Sequence, residues 1–87
     1  MKVVYTTQAR ADIKHWIKFD QKIYKKVYAL IDQCKITPFT GTGNPEPLRH
    51  DHPNWSRRLT RAYRLIYYVE GSGEDRVLTI VSAKDHY

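Results

Sequence analysis

The sequence predicts an α+β domain: an N-terminal strand, a two-helix hairpin, and a mainly antiparallel sheet of four to five strands on which the hairpin packs. Residues 9–34 carry apolar side chains at helical spacing in two blocks, whereas 63–70 and 77–83 are short runs rich in aromatic, β-branched and aliphatic residues, and 56–60 is a third short segment set off from 63–70 by a tight turn. Helices followed by strands imply helices gathered on one face of an antiparallel sheet. The third observation is length: 87 residues make a single domain spanning 1–87, without repeats or linkers. Such a chain should bury about 60% of its extended surface and have a radius of gyration of about 12 Å.

Taken in order, Lys2 to Tyr5 is β-branched and aromatic, a first strand, and Thr6 or Thr7 can cap the helix that follows. Ala9, Ile13, Trp16 and Ile17 recur as one buried stripe, with Lys14 and Lys18 outside it. Asp20 is a second N-cap, after which Ile23, Val27, Leu30, Ile31 and Cys34 repeat the spacing and Lys22, Lys25, Lys26 and Gln33 face away. Tyr24 and Tyr28 fall at the margin of that core. Pro38 ends the helix, since it neither donates to a helix nor lets Thr37 settle in one. From Pro38 to Asn54 glycines and prolines predict a long loop with a fixed path. Strands over Ser56–Thr60 and Tyr63–Glu70 turn at Arg61 and Ala62, and Gly71 to Asp75 leads to a last strand, Val77–Ala83. Both alternating sets of that strand are largely apolar, as a central position requires.

Fifteen Lys and Arg against nine Asp and Glu give a net charge of +6. The expected partner is a polyanion or an acidic protein. A single cysteine, Cys34, excludes an internal disulfide and reads as a small buried hydrophobe in a reducing compartment. The Val3–Tyr5 run is too short for a signal peptide core and no segment is long enough to span a bilayer, so a cytoplasmic protein without a membrane partner is expected.

Positive charge concentrates in Trp55–Val69, which holds Arg57, Arg58, Arg61 and Arg64 and no acidic residue. Alternation puts Leu65, Tyr67 and Val69 on one face and Arg64, Ile66 and Tyr68 on the other. Arg64 then sits on a rigid strand, which suits a group that meets a phosphate at fixed geometry. For Arg57, Arg58 and Arg61 a solvated edge that resists aggregation is an equal reading. Pro45 and Pro47 stiffen the backbone around Glu46, as a general base needs, although a PEP triplet alone is an ordinary turn. RNA cleavage by its own 2′-hydroxyl needs a base, cations for the phosphorane and an acid for the leaving oxygen. Glu46, Arg64 with Arg58 second, and His86 supply that set, and Tyr87 can stack a base. His50-Asp51-His52 lacks a second ligand pair, so no metal or other cofactor is expected. Ser82, Asp85 and His86 share one strand end and cannot face each other as a triad, and Gly41 and Gly43 lack the Lys and helix of a phosphate loop.

Thr37-Pro38-Phe39, Gly41, Gly43, Pro45-Glu46-Pro47-Leu48-Arg49-His50, Trp55-Ser56-Arg57-Arg58-Leu59-Thr60, Arg64-Leu65-Ile66-Tyr67 and His86-Tyr87 together resemble the YoeB (Txe) toxins of the RelE superfamily. The resemblance spans essentially the whole chain; the PEPL segment and the final His-Tyr make it specific. It implies a RelE-like microbial RNase fold and a ribosome-dependent, metal-independent endoribonuclease that cuts mRNA in the A site of the 70S ribosome, against 16S rRNA, and so inhibits translation. It implies Glu46 as base, Arg64 on the phosphate, His86 as acid and Tyr87 as stacking residue, with Arg49, Arg57 and Arg58 on the RNA backbone. The implied partner is an acidic YefM/Axe-type antitoxin, with a homodimer left open. Three features depart from the pattern: a first helix of low acidity, Tyr63 where His is common, and Ala83-Lys84-Asp85 ahead of His86. The rival reading is a non-catalytic module of the same fold, either a gyrase poison or a basic RNA-binding domain.

Overall fold

The computed structural model describes residues 1–86, so Tyr87 lies outside the described residues. Thr6 ends β1 (Lys2–Tyr5) and caps α1 (Thr7–Phe19): its Oγ1 accepts from Ala9 N–H at 3.0 Å and donates to the Val81 carbonyl at 2.6 Å. One hydroxyl thus starts the helix and ties it to the sheet. Asp20 plays a matching double part. Its N–H donates to the Trp16 carbonyl at 2.8 Å, while its Oδ1 accepts from Lys22 and Ile23 N–H at 3.1 and 3.2 Å to open α2 (Gln21–Ile36). The hairpin therefore needs no loop.

The sheet has five strands in the order β1-β5-β4-β3-β2, completed by β2 (Glu46–Pro47), β3 (Trp55–Arg58), β4 (Tyr63–Glu70) and β5 (Val77–His86). β1 runs parallel to β5, and the other pairs are antiparallel. The α+β class is as expected, and the radius of gyration is 12.1 Å. Three boundaries differ from the expectation. The predicted loop contains a two-residue edge strand, because Glu46 and Pro47 find partners in Ser56 and Trp55. β3 stops at Arg58, since Thr60 Oγ1 accepts from Ala62 and Tyr63 N–H at 3.1 and 3.0 Å and closes the turn early. β5 continues past Ala83 because Arg64 and Tyr63 supply partners for Asp85 and His86.

The core lies between the hairpin and one sheet face, with Ala9, Ile13, Trp16, Val27, Leu30 and Ile31 packed on Leu65, Tyr67, Leu78 and Ile80. Cys34 is buried there, and burial pushes its thiol pKa up, against the nearby Arg57 charge and a hydrogen bond with Tyr67. Ile17 was expected in the stripe but is 44% exposed. It lies about 40° beyond Ile13 around the helix, and the buried arc turns the other way, toward Asp12. Tyr28 likewise stands at the surface, whereas Tyr24 packs against the core.

Asp12 is buried because β5 bulges. From Ile80 to Asp85 β5 advances five residues while its partner β4 advances only three, from Tyr67 back to Arg64. The surplus residues cannot all pair with β4, and β1 reaches only to Ile80. Ala83 in the bulge is served by α1 instead: its N–H donates to Asp12 Oδ2 at 2.9 Å and its carbonyl accepts from Trp16 Nε1 at 2.7 Å. Gln8 Nε2 donates to the other Asp12 oxygen at 2.7 Å. Replacing Asp12 by Ala should leave the Ala83 N–H buried without an acceptor and lower stability by about 1–3 kcal/mol. The expected record is a lower urea midpoint at unchanged slope.

Candidate active site

Of the basic residues in Trp55–Val69, Arg57 has the clearest role, and it is not the RNA contact expected. It is 0% exposed. By alternation it shares the inward face of β3 with Trp55, opposite Leu65. Its Nε donates to Tyr67 Oη at 3.3 Å, its Nη1 to Gln33 Oε1 and to the Thr42 carbonyl at 3.1 Å each, and its Nη2 to the Thr40 carbonyl at 2.7 Å and to the Thr37 carbonyl. Tyr67 Oη donates in turn to the Pro38 carbonyl at 2.6 Å. Residues 37–42 are wrapped around a buried cation, and a guanidinium so enclosed has no surface left for RNA.

The wrapping fixes the glycines. Gly41 has φ +107°, and a Cβ there would lie 2.9 Å from Gln33 Oε1, one of the guanidinium's acceptors. Gly43 has φ +87°, and a Cβ would come within 3.1 Å of the Arg58 carbonyl. Both positions need a residue without a side chain. The Gly43 carbonyl accepts from Arg58 N–H at 2.6 Å, which brings the loop onto β3 two residues ahead of Pro45. In this way the buried cation sets the path that delivers Glu46.

Glu46 is exposed on the edge strand, opposite Ser56, and Ser56 is opposite Ile66. Arg58 and Arg64 face each other two residues farther along those strands. Since side chains alternate, Glu46, Arg58 and Arg64 leave the sheet on the same side, away from the helices. Two strand spacings, about 10 Å, separate β2 from β4. Arg64 also lines a cleft of about 260 Å³ with Leu48, Arg49, His50 and Asp51. Within that segment Leu48 N–H donates to the Asn54 carbonyl at 2.9 Å and Asn54 Nδ2 to Asp51 Oδ2 at 3.0 Å, so the turn that carries Arg49 is closed on itself. Among the described residues no three His, Cys, Asp or Glu side chains form a group suited to a metal ion.

His86 is placed differently. It pairs with Tyr63, not Arg64, and its ring stands edge-on to the Tyr63 ring at 4.5 Å; Tyr63 in turn meets Trp16 edge-on at 5.0 Å. By register it leaves β5 on the Tyr63 side, at the end of the strand and on the face opposite the one that holds Glu46 and Arg64. Asp85 takes the place opposite Arg64, and its Oδ2 accepts from Arg64 Nε at 2.6 Å. Sequence reasoning set Asp85 aside as a triad member and His50 and Asp51 as metal ligands, and it missed Asp85 as the partner of Arg64 and the other two as cleft residues. Spacing alone could not find them, because the β5 bulge decides what meets Arg64. Arg57 was accessible to sequence reasoning, since period two groups it with Leu59 and separates it from Arg58.

Two measurements separate these roles. Arg58→Ala should reduce the slope of log binding constant against log salt for RNA by about one contact's worth, whereas Arg57→Ala should lower stability by at least about 1–3 kcal/mol, because its buried neutral acceptors lose their donor. A further test concerns pH. Burial pushes the Tyr67 hydroxyl up to about 12, against the Arg57 hydrogen bond and charge, which favour the phenolate. A folded-state pKa above the ordinary value of about 10 means that the stability Tyr67 contributes is fully present below that pH. It is lost as pH rises through about 12. A Tyr67→Phe variant should show a shallower fall of stability across that window in denaturant titrations at stepped pH.

Comparison with known proteins agrees with this architecture across the whole chain. Residues 5–87 match the family described as YoeB-like toxin of bacterial type II toxin-antitoxin system. The chain is 39% identical to Toxin YoeB of Escherichia coli K12 over 88 aligned positions, covering 100% of both. The structure of a YoeB/ParE toxin from Agrobacterium tumefaciens is 40% identical, with a TM-score of 0.95 and 100% of each chain covered. Staphylococcus aureus structures of a YoeB dimer and of a heterotetrameric YoeB–YefM toxin–antitoxin complex are each 30% identical, covering 100% of this chain and 98% of theirs, with TM-scores of 0.87 and 0.84. With its hairpin, five-stranded sheet and glycine-bound loop aligned from end to end, the chain belongs to the YoeB family of type II toxin–antitoxin toxins.

Proposed function

We propose that this toxin is a ribosome-dependent endoribonuclease that cuts mRNA in the A site, with the RNA 2′-hydroxyl as nucleophile. The observation that carries the reading is one open sheet face shared by a carboxylate, Glu46, and two guanidiniums, Arg58 and Arg64. Glu46 takes the proton of the 2′-hydroxyl, and that oxygen attacks the adjacent phosphorus. The bond from phosphorus to the 5′-oxygen breaks, and His86 protonates the departing oxygen. The products are a 2′,3′-cyclic phosphate and a 5′-hydroxyl. Arg64 stabilises charge on the phosphorane, Arg58 and Arg49 hold the backbone, and Tyr87 stacks a base. Side chains cover every proton transfer and charge in this scheme, so it needs no metal ion. His86 rests against Tyr63 at the end of β5; on substrate binding its imidazole turns around the strand end to reach the leaving oxygen.

Lysines on the outer sides of α1 and α2, such as Lys14, Lys18, Lys25 and Lys26, are exposed. They dock on 16S rRNA of the 70S ribosome, which fixes the mRNA over the sheet. The staphylococcal complex with YefM points to the matching partner: an acidic antitoxin whose segment folds over the basic face and excludes RNA. The staphylococcal YoeB dimer supports a homodimer for this chain as well. Its place of action is then the bacterial cytoplasm, where ribosomes translate.

The test is cleavage of mRNA on purified ribosomes under single-turnover conditions, with mapped ends. Arg64→Ala should slow cleavage by about 10²- to 10³-fold and His86→Ala by about 10²- to 10⁴-fold. Lys25→Ala should leave the rate constant in place and change only the salt dependence of binding. Intact mRNA together with DNA breaks after toxin induction would overturn the nuclease reading in favour of a gyrase poison.

A further inference from the structure

The acidic residue that meets the phosphate-binding arginine has no part in the scheme above. Asp85 Oδ2 lies 2.6 Å from Arg64 Nε, with the two side chains 39% and 26% exposed. Arg64 and Asp85 are direct partners on adjacent strands, and the surplus residues of β5 put Asp85 there. We propose that Asp85 is a positioning residue that sets the plane of the Arg64 guanidinium. The inference rests on Arg64 serving the phosphorane as described above.

Geometry supports this assignment. A guanidinium is planar, and its plane is defined by Cδ, Nε and the Nε–H bond. A carboxylate that fixes the direction of Nε–H therefore fixes the whole plane. Strand pairing already fixes the backbone of both residues, and the short contact at Nε acts on the side chain from that fixed base. The alternative is that Asp85 stands in for a phosphate and departs when RNA arrives. An aspartate has one methylene between backbone and carboxylate, and on a paired strand it has little reach with which to withdraw. A carboxylate on this face also repels RNA, so retaining it there costs affinity and gains orientation. The two effects have opposite signs on binding and on chemistry, which makes them separable.

Single-turnover cleavage on ribosomes, with ribosome affinity and thermal melting recorded for each variant, tests the proposal. Asp85→Ala should slow the chemical step by up to about 10²-fold, the scale on which misplacement of a group at the reacting centre acts. Affinity should rise with the loss of one negative charge, and the melting temperature should stay near that of the parent. Asp85→Asn keeps an oxygen that accepts from Nε, so its rate should fall between parent and Ala while its affinity matches that of Ala. In an Arg64→Lys background Asp85→Ala should bring no further loss, because an ammonium has no plane to orient. Faster cleavage by Asp85→Ala would identify Asp85 as a gate and overturn the proposal. So would a fall of rate, affinity and melting temperature together, or full additivity with Arg64→Lys. If Arg64→Lys is slow and Asp85→Ala is not, the positioning role alone fails. If Arg64→Lys cuts at the parental rate, the role of Arg64 itself fails and this inference with it.

Discussion

A buried guanidinium whose acceptors in this structure are all uncharged is the constraint from which much of the site follows. Removing an arginine from water costs several kcal/mol unless its donors are all met, and around Arg57 they are met by three backbone carbonyls, Gln33 and Tyr67. Backbone carbonyls can converge on one point only if the chain bends around it. That bend needs positive φ at Gly41 and Gly43, and it returns the chain to the edge of β3 in time to form β2. Glu46 thus stands where it does because of a cation that never reaches solvent. The stiff prolines beside Glu46 limit its freedom, but they do not choose its location.

The far end of the site is held by a different mechanism. β5 carries more residues than β4 between their shared anchor points, and α1 stabilises the surplus through Asp12 and Trp16. Helix and bulge are therefore coupled: the indole and carboxylate that look like core and surface residues in the sequence both terminate on Ala83. Just beyond lie Asp85 and His86, which point to opposite sides of the strand. A small domain has few ways to hold irregular backbone, and here two side chains from one helix suffice.

Much of this was legible in the sequence. Helical spacing gave both helices and their caps, because Thr6 and Asp20 precede apolar periodicity in the way the physics of orphan N–H groups requires. Alternation gave the two faces of β4 and so the outward direction of Arg64. The misses share a cause. Ile17 was assigned by spacing, but the buried arc of α1 was rotated toward Asp12 by a hydrogen bond to a strand some 71 positions away in the chain. Arg57 was grouped with its basic neighbours by charge when its strand face groups it with Leu59. Asp85 and His86 could not be placed without the register of β5 against β4, and register depends on a bulge that leaves no local signal. Periodicity reports which side of an element faces inward; it does not report what lies opposite.

The position of β5 in the sheet has a further consequence for the newly made chain. β5 pairs with both β1 and β4, it receives the side-chain contacts of α1, and Thr6 reaches it across 75 positions of sequence. Synthesis delivers it after the other described elements. Until Val77–His86 has emerged, β1 has no neighbour, β4 lacks one side, and the apolar face of the hairpin has only part of its cover. The non-local pairing that closes the sheet must come last. A nascent chain that stops short of these residues has neither a completed core nor the Arg64–Asp85 pair, so the order of strands delays assembly of the site until translation has passed the last strand.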